Sequence, residues 1–439
     1  MNTPRCSLPV LLVTAVSFLA GCAAVQPASP PPAALTAAAR HFVVTDFGAV
    51  AGGATLNSAA IQRAIDQAGA AGGGVVEIPA GTFLSGSIFL KAGVELHLDA
   101  GAVLLGSQRI GDYPKRLTRI EGHFEPWRLA LVNAQGMDRV RISGPGTLDG
   151  NGEIYWQAFW QRRKENPQCT NLEVERPRLM FIDRCQDVRI SGLVLRNSGF
   201  WNLHLYRCQD VAIEGLRITA PTTGPVRGPS TDGIDVDSCQ DVAIRRCYIS
   251  VNDDNIALKG SKGPLADHDA DSPPVENILI EDCEFGDGNG MVTCGSEATL
   301  VRHVVARNCR ITGKTNLVCL KLRPDTPQRY EDITIDGIRL TGGGARLLQV
   351  APWRQFFDLE GHAPPTQRIS HLTLRNITGA GRSFGTLRGN PGDTLGDITL
   401  ENIDVTLADP RLALGQTQDL VLKNVRVNGA PYALPAAAP

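Results

Sequence analysis

Aromatic residues are scarce in this chain: Phe, Trp and Tyr make up only 5% of its 439 residues. That argues against a core filled by large rings and suits one filled by stacked aliphatic side chains. A dominant charge is missing too. Lys and Arg number 43 against 45 Asp and Glu, a formal net charge of −2, so nothing suggests an anionic-membrane partner and no nucleic acid is expected. The apolar run from Leu8 to Ala20 is too short to span a bilayer comfortably as a permanent helix. What the chain has in quantity is 46 glycines and 28 prolines, which fit a turn-rich β protein. Its length suits two or three average domains, an expectation that long solenoids break.

The N-terminus reads as an address rather than a fold. Arg5 is the sole charge before the apolar run, which ends in Leu19-Ala20-Gly21-Cys22. Residues 1–22 resemble a bacterial lipoprotein signal, in which Cys22 is lipidated and becomes the new N-terminus. An ordinary secretory signal that ends in Gly-Cys is the alternative. Ala23 is not acidic, so the resemblance implies sorting to the outer membrane, facing the periplasm or the cell surface. Residues 23–40, rich in Pro and Ala, then form a flexible tether. Setting Cys6 and Cys22 aside from 11 cysteines leaves nine, an odd number, so at least one is a free thiol.

Three segments are near-copies: Cys185-Gln186-Asp187-Val188, Cys208-Gln209-Asp210-Val211 and Cys239-Gln240-Asp241-Val242. Their cysteines lie 23 and 31 residues apart. Weaker echoes begin at Asn277, Asp332, Asp397 and Asp419. Short alternating strands at such a period mark a solenoid, and no helical pattern intervenes to suggest leucine-rich or ankyrin repeats. The reading is an all-β fold, a single-stranded right-handed parallel β-helix over residues 41–431, with residues 432–439 a disordered tail. Residues one coil apart stack at about 4.8 Å, so Cys185, Cys208 and Cys239 are expected as a buried ladder rather than disulfide partners. Asn57 is placed to cap a helix whose Ile61, Ala64, Ile65 and Ala68 share one face and close the first coil.

Four segments align by their apolar residues, with Ile234, Ile256, Met291 and Val318 as one inward ladder. Alternation then stacks Asp237, Lys259, Cys294 and Lys321 on the outer face, Asp237 pairing with Lys259. Asp232 and Asp254 fall at equivalent places on neighbouring coils, with Asp253 beside them. Carboxylates so close cannot all ionise cheaply. A protonated carboxyl beside ionised ones supplies the acid and base that glycoside hydrolysis needs. Because unpaired buried carboxylates are costly, the three are expected in a turn that opens on a surface groove.

Thr231-Asp232-Gly233, Asp253-Asp254 and Gly295-Ser296-Glu297 resemble motifs of the polygalacturonase family, glycoside hydrolase family 28. So do Asp46-Phe47-Gly48, Gly72-Gly73-Gly74, Gly146-Thr147-Leu148-Asp149-Gly150 and Asn197-Ser198 with Trp201. The resemblance covers nearly the whole chain after residue 41. It implies inverting hydrolysis of α-linked galacturonate-containing pectin, with Asp253 as general acid and Asp232 and Asp254 as general bases. It implies a pectic polysaccharide or oligosaccharide as partner, with no cofactor and no metal. The chain is expected to be a monomer.

Two positions depart from the family pattern. Its usual Gly-His-Gly stands here as Gly288-Asn289-Gly290, and its Arg-Ile-Lys as Cys319-Leu320-Lys321. Arginine grips a carboxylate with two parallel donors and lysine does not, so a neutral sugar such as rhamnose is expected at one subsite. Arg323 is placed to compensate, and Asn289, Lys259, Lys321 and Arg323 are the expected substrate contacts. Trp353, Phe356 and Phe357 suit a sugar platform or a core. Asp267, Asp269 and Asp271 lack regular ligand spacing and read as a solvated rim. A β-helical pectate lyase and a non-catalytic glycan-binding β-helix are the competing readings.

Overall fold

In the repeats, alternate residues turn inward and lie in register from coil to coil. Val188, Val211, Val242 and Ile278 align across four parallel strands, and so do Ile190, Ile213, Ile244 and Ile280. The aspartate of each repeat has a structural reason. Asp187, Asp210 and Asp241 take φ of 52°, 52° and 57°, the left-handed region that Asp and Asn tolerate better than other side-chain-bearing residues. Asn277 holds the same conformation at φ 59° on the next coil.

The computed structural model describes residues 40–434. The signal segment, Cys22 and the tether up to residue 39 lie outside the described residues, as do residues 435–439. Within them the chain winds as a right-handed parallel β-helix around one continuous apolar core that runs from Val44 to Val427. The nine cysteines it describes are free and buried. The expected thiol ladder is present, with the Cys208 backbone N–H donating to Cys239 Sγ at 3.2 Å. A second ladder of Cys247, Cys283 and Cys309 lies beside it.

A helix, Ser58–Ala70, covers the first coil and buries Ile61, Ala64, Ile65 and Ala68 as expected. Asn57 does not cap it. With φ −103° and ψ 2°, its amide closes the preceding loop instead, bonding both the N–H and the carbonyl of Val50 at 2.7 and 3.0 Å. At the other end the ordered chain continues past residue 431, because the Tyr432 ring stacks on Phe384 at 4.8 Å.

One register differs from expectation. Val292, not Met291, continues the ladder of Ile234, Ile256 and Val318. A slip of one residue reverses every side chain, so Cys294 faces the core rather than the outer row. On this register Gly290 stands opposite Asp254. A Cβ there would come within 2.3 Å of Thr293 Oγ1, so only glycine fits.

Two insertions cover part of one outer face. An antiparallel hairpin, Lys115–Ile120 with His123–Arg128, lies over the strands Met180–Asp183 and Leu203–Tyr206. Outward-pointing Phe181, His204 and Tyr206 are buried beneath it, and Phe124 meets the Tyr206 ring edge-on at 5.7 Å. A helix, Glu153–Glu165, flanks the same face.

Candidate active site

Asp232, Asp253 and Asp254 do converge. Each offers a carboxylate oxygen within 4.8 Å of the others, at the floor of a cavity of about 430 Å³. The turn that carries Asp232 is held by its carbonyls: Asn202 donates to Thr231 O and Asp232 O. Arg176, fully buried between the Phe159 and Phe200 rings, donates to Pro229 O at 2.7 Å. Asn255 anchors the Asp253–Asp254 turn through the carbonyls of Ile249 and Asp287.

The three carboxyls have different surroundings. Asp254 carries a donor on each oxygen, Lys321 Nζ at 2.6 Å and Thr293 Oγ1 at 3.0 Å. Asp253 Oδ1 accepts from Asn289 Nδ2 at 2.9 Å and from the Asp254 backbone at 3.0 Å, which leaves Oδ2 to carry a proton. Burial and the Asp254 charge raise the Asp253 pKa. Asp232 sits in a turn that lines the cavity, as expected, with only 3% of its surface exposed. Its pKa rises well above the carboxylate range through burial and the charge of Asp235.

Asp235 is the residue that sequence reasoning missed. It is fully buried, both its oxygens lack a protein hydrogen-bond donor, and burial lifts its carboxyl to about 8. Lys259 Nζ lies 3.5 Å from both Asp232 and Asp235 and 3.6 Å from Glu297. One proton shared by Asp232 and Asp235 gives one of the orphaned oxygens a partner and limits the buried negative charge. The signal was legible: strict alternation puts Asp235 on the same face as Asp237.

Asp237 and Lys259 are register neighbours but not partners. Asp237 pairs with Arg119 at 3.0 Å and lies 3.4 Å from His204. Its carboxyl is held at about 2 by the Arg119 charge and by His204, against the burial that would raise it. Arg323 also departs from expectation. Two of its nitrogens grip Asp325 at 2.8 and 2.6 Å, and it donates to the carbonyls of Gln355 and Phe356. It fixes the loop after Trp353 instead of presenting a free fork to a substrate carboxylate. That loop brings Trp353 and Phe356 to the cavity, and Lys321 Nζ sits 4.7 Å from the Trp353 ring centre. Asp269 and Asp271 face Arg119 and Arg207 at 3.8 and 2.5 Å.

Sequence periodicity gave no hint of the cavity's far wall. Glu121 at the hairpin turn, Trp160 and Arg163 of the second helix, and Arg227 all line it. The three carboxylates together resemble a cation site, yet Lys259 and Lys321 already lie against them, and two ammonium groups make that space hostile to a divalent ion.

Such an acid-rich cavity on a parallel β-helix defines a polysaccharide-cleaving glycosidase. The chain belongs to Glycosyl hydrolases family 28, whose profile matches residues 74–421. Residues 42–104 also match a Rhamnogalacturonase A/epimerase, pectate lyase-like profile. A probable polygalacturonase of Vitis vinifera is 35% identical over 85% of this chain and 76% of its own. An endo-polygalacturonase of Pectobacterium carotovorum is 26% identical over 79% and 83%. Among solved structures, an exopolygalacturonase from Thermotoga maritima superposes with a TM-score of 0.75 at 25% identity, over 90% of this chain and 93% of that one.

Proposed function

We propose that the protein hydrolyses galacturonate-containing pectic chains from one end, with inversion at the anomeric carbon. The observation that carries the end-acting reading is the buried outer face of Phe181, His204 and Tyr206. The hairpin fills the groove there, one coil before Asp232, while Gln349 and Thr386 on later coils stay half-exposed. A groove stopped on one side and open on the other receives a chain end rather than a chain middle. The wall cations favour an acidic sugar: Arg163 and Arg227 face the cavity, and neither has a carboxylate within 4.0 Å among the described residues. They take over the task that Cys319 cannot perform, and they weaken the case for rhamnose beside the cut.

In this reading Asp253 donates its Oδ2 proton to the glycosidic oxygen as the bond breaks. Asp254, ion-paired with Lys321, accepts the proton of the attacking water. Asp232 orients that water and serves as second base once the proton it shares with Asp235 has moved. With a donor on each of its oxygens, Asp254 is a poor nucleophile, which supports attack by water and not by the enzyme. Lys259, Lys321 and Asn289 hold the sugar and the acid in place.

The test is product analysis on polygalacturonan and on rhamnogalacturonan, with the released anomer followed by NMR. Short products from polygalacturonan, initially inverted, are expected, and Asp253→Asn should lower kcat by roughly 10²–10⁴-fold. A mixture of random lengths would overturn the end-acting reading. Chelator-sensitive release of UV-absorbing unsaturated ends would replace hydrolysis with elimination, and binding without release would make the protein a glycan binder.

We further propose that Cys22 carries the lipid that tethers the protein as a monomer to the outer membrane. The Gly21-Cys22 junction and the non-acidic Ala23 support this. Labelled palmitate should enter the wild type and not Cys22→Ser; equal labelling of both would sink the assignment.

A further inference from the structure

Many charged side chains along the coils are matched to partners on neighbouring coils. Arg141 pairs with Asp187, Arg189 with Asp210, Arg302 with Glu276, Arg307 with Glu281, and Arg375 with Asp336. Against that pattern, Lys314, Arg346 and Arg382 line one polar cavity of about 250 Å³, together with Asn289 and Asn316. Among the described residues none of the three has a carboxylate within 4.0 Å. Burial and the Arg382 charge even press the Arg346 guanidinium below its ordinary value. Three cations held together without counter-charge are an unfavourable arrangement that an anion relieves.

The place of this cluster gives it meaning. Asn289 lines both cavities and donates to Asp253. From there Asn316, Arg346 and Ser383 follow in register on successive coils, at about 4.8 Å each, so Arg382 lies roughly 15 Å beyond Asn289. This is the open side of the groove, away from the hairpin. Lys314 and Arg382 are exposed, and half-buried Arg346 gives Nε to Ser383 and Nη1 to Gln349 but keeps Nη2 for a ligand.

We propose that Lys314, Arg346 and Arg382 form an acidic-chain track that holds the carboxylates of the uronate units trailing from the catalytic pocket. This rests on the end-acting pectic reading above and deepens it. The track makes the protein prefer long, charged chains over short ends. The uronates take the place of the missing surface carboxylates, through charge-assisted hydrogen bonds.

The experiment measures kcat and KM on galacturonate oligomers of increasing length and on polygalacturonan, at low and high salt. It compares the wild type, Arg382→Gln, the double variant Arg346→Gln/Arg382→Gln, and Lys423→Gln, an exposed lysine elsewhere on the solenoid. The double variant should raise KM about tenfold on the polymer, the effect of one to two lost charge-assisted contacts, with kcat nearly unchanged. The ratio of polymer to dimer kcat/KM should fall with it and salt dependence should become shallower, while Lys423→Gln matches the wild type. Equal loss at every chain length, or no loss, overturns the track. Retardation of each protein in gels containing polygalacturonate reads binding without turnover. If the wild type proves inactive, lost retardation in Arg382→Gln still supports the track, and unchanged retardation overturns it.

Discussion

Asp235 is where burial, charge and register meet on one side chain. Its carboxyl holds its proton to about 8, whereas an aspartate in an unfolded chain releases its own near 3.9. Between roughly pH 4 and 8 the folded protein therefore binds a proton that the unfolded chain has lost, and stability declines as pH rises through that window. The Asp237 carboxyl, held at about 2, acts oppositely and only below about pH 4, where acid removes its contribution. Asp235→Asn should accordingly flatten the fall in Tm between pH 5 and 8, measured by calorimetry. An unchanged slope would show that the shared proton lies elsewhere. Activity should decline on the alkaline side as Asp253 loses the proton it donates, and the residual activity of Asp253→Asn should lack that decline.

The hairpin Lys115–Arg128 is the element on which the end-acting reading rests. Its hold on the solenoid is electrostatic as well as apolar. Fully buried Arg119 donates to Asp237 at 3.0 Å and to Ser261 at 3.1 Å, and its carbonyl accepts from Arg178 at 2.8 Å. Removing one partner of a buried pair costs about 3–5 kcal/mol because the other charge stays behind. Arg119→Met should be destabilised by that order in urea unfolding, and Asp237→Asn in the same chain should recover much of the loss. Excising the hairpin tip should shift the products from short ends to internal fragments, seen as a faster fall in polygalacturonan viscosity per bond cut. Unchanged viscosity behaviour would mean that another element stops the groove.

At the scale of the whole molecule, the repeating coils and the sealed core decide behaviour. The nine cysteines in the described residues are buried and free, and seven of them belong to the apolar core inside the coils. Thiol reagents should leave them unreacted in the native protein and modify them only on unfolding. A reductant should leave Tm unchanged, since no disulfide joins the described residues; a drop in Tm would reveal bridges between ladder neighbours.

The amino-acid sequence by itself determined the β-helix, the cysteine ladder, the covering helix and the meeting of Asp232, Asp253 and Asp254. Each follows from a repeat in which equivalent residues must stack, so spacing along the chain becomes distance in space. Periodicity failed at Met291 because Val292 is the residue in register with Ile256 and Val318, and at Asn57 because its amide is taken by Val50. Only the tertiary structure decided that Arg323 is committed to a loop and that a hairpin covers the outer face of Phe181, His204 and Tyr206. Those outcomes depend on insertions that obey no repeat and on contacts such as Arg119 with Asp237, separated by 118 positions. No local pattern encodes which face such an insertion covers, because packing selects it once the coils exist.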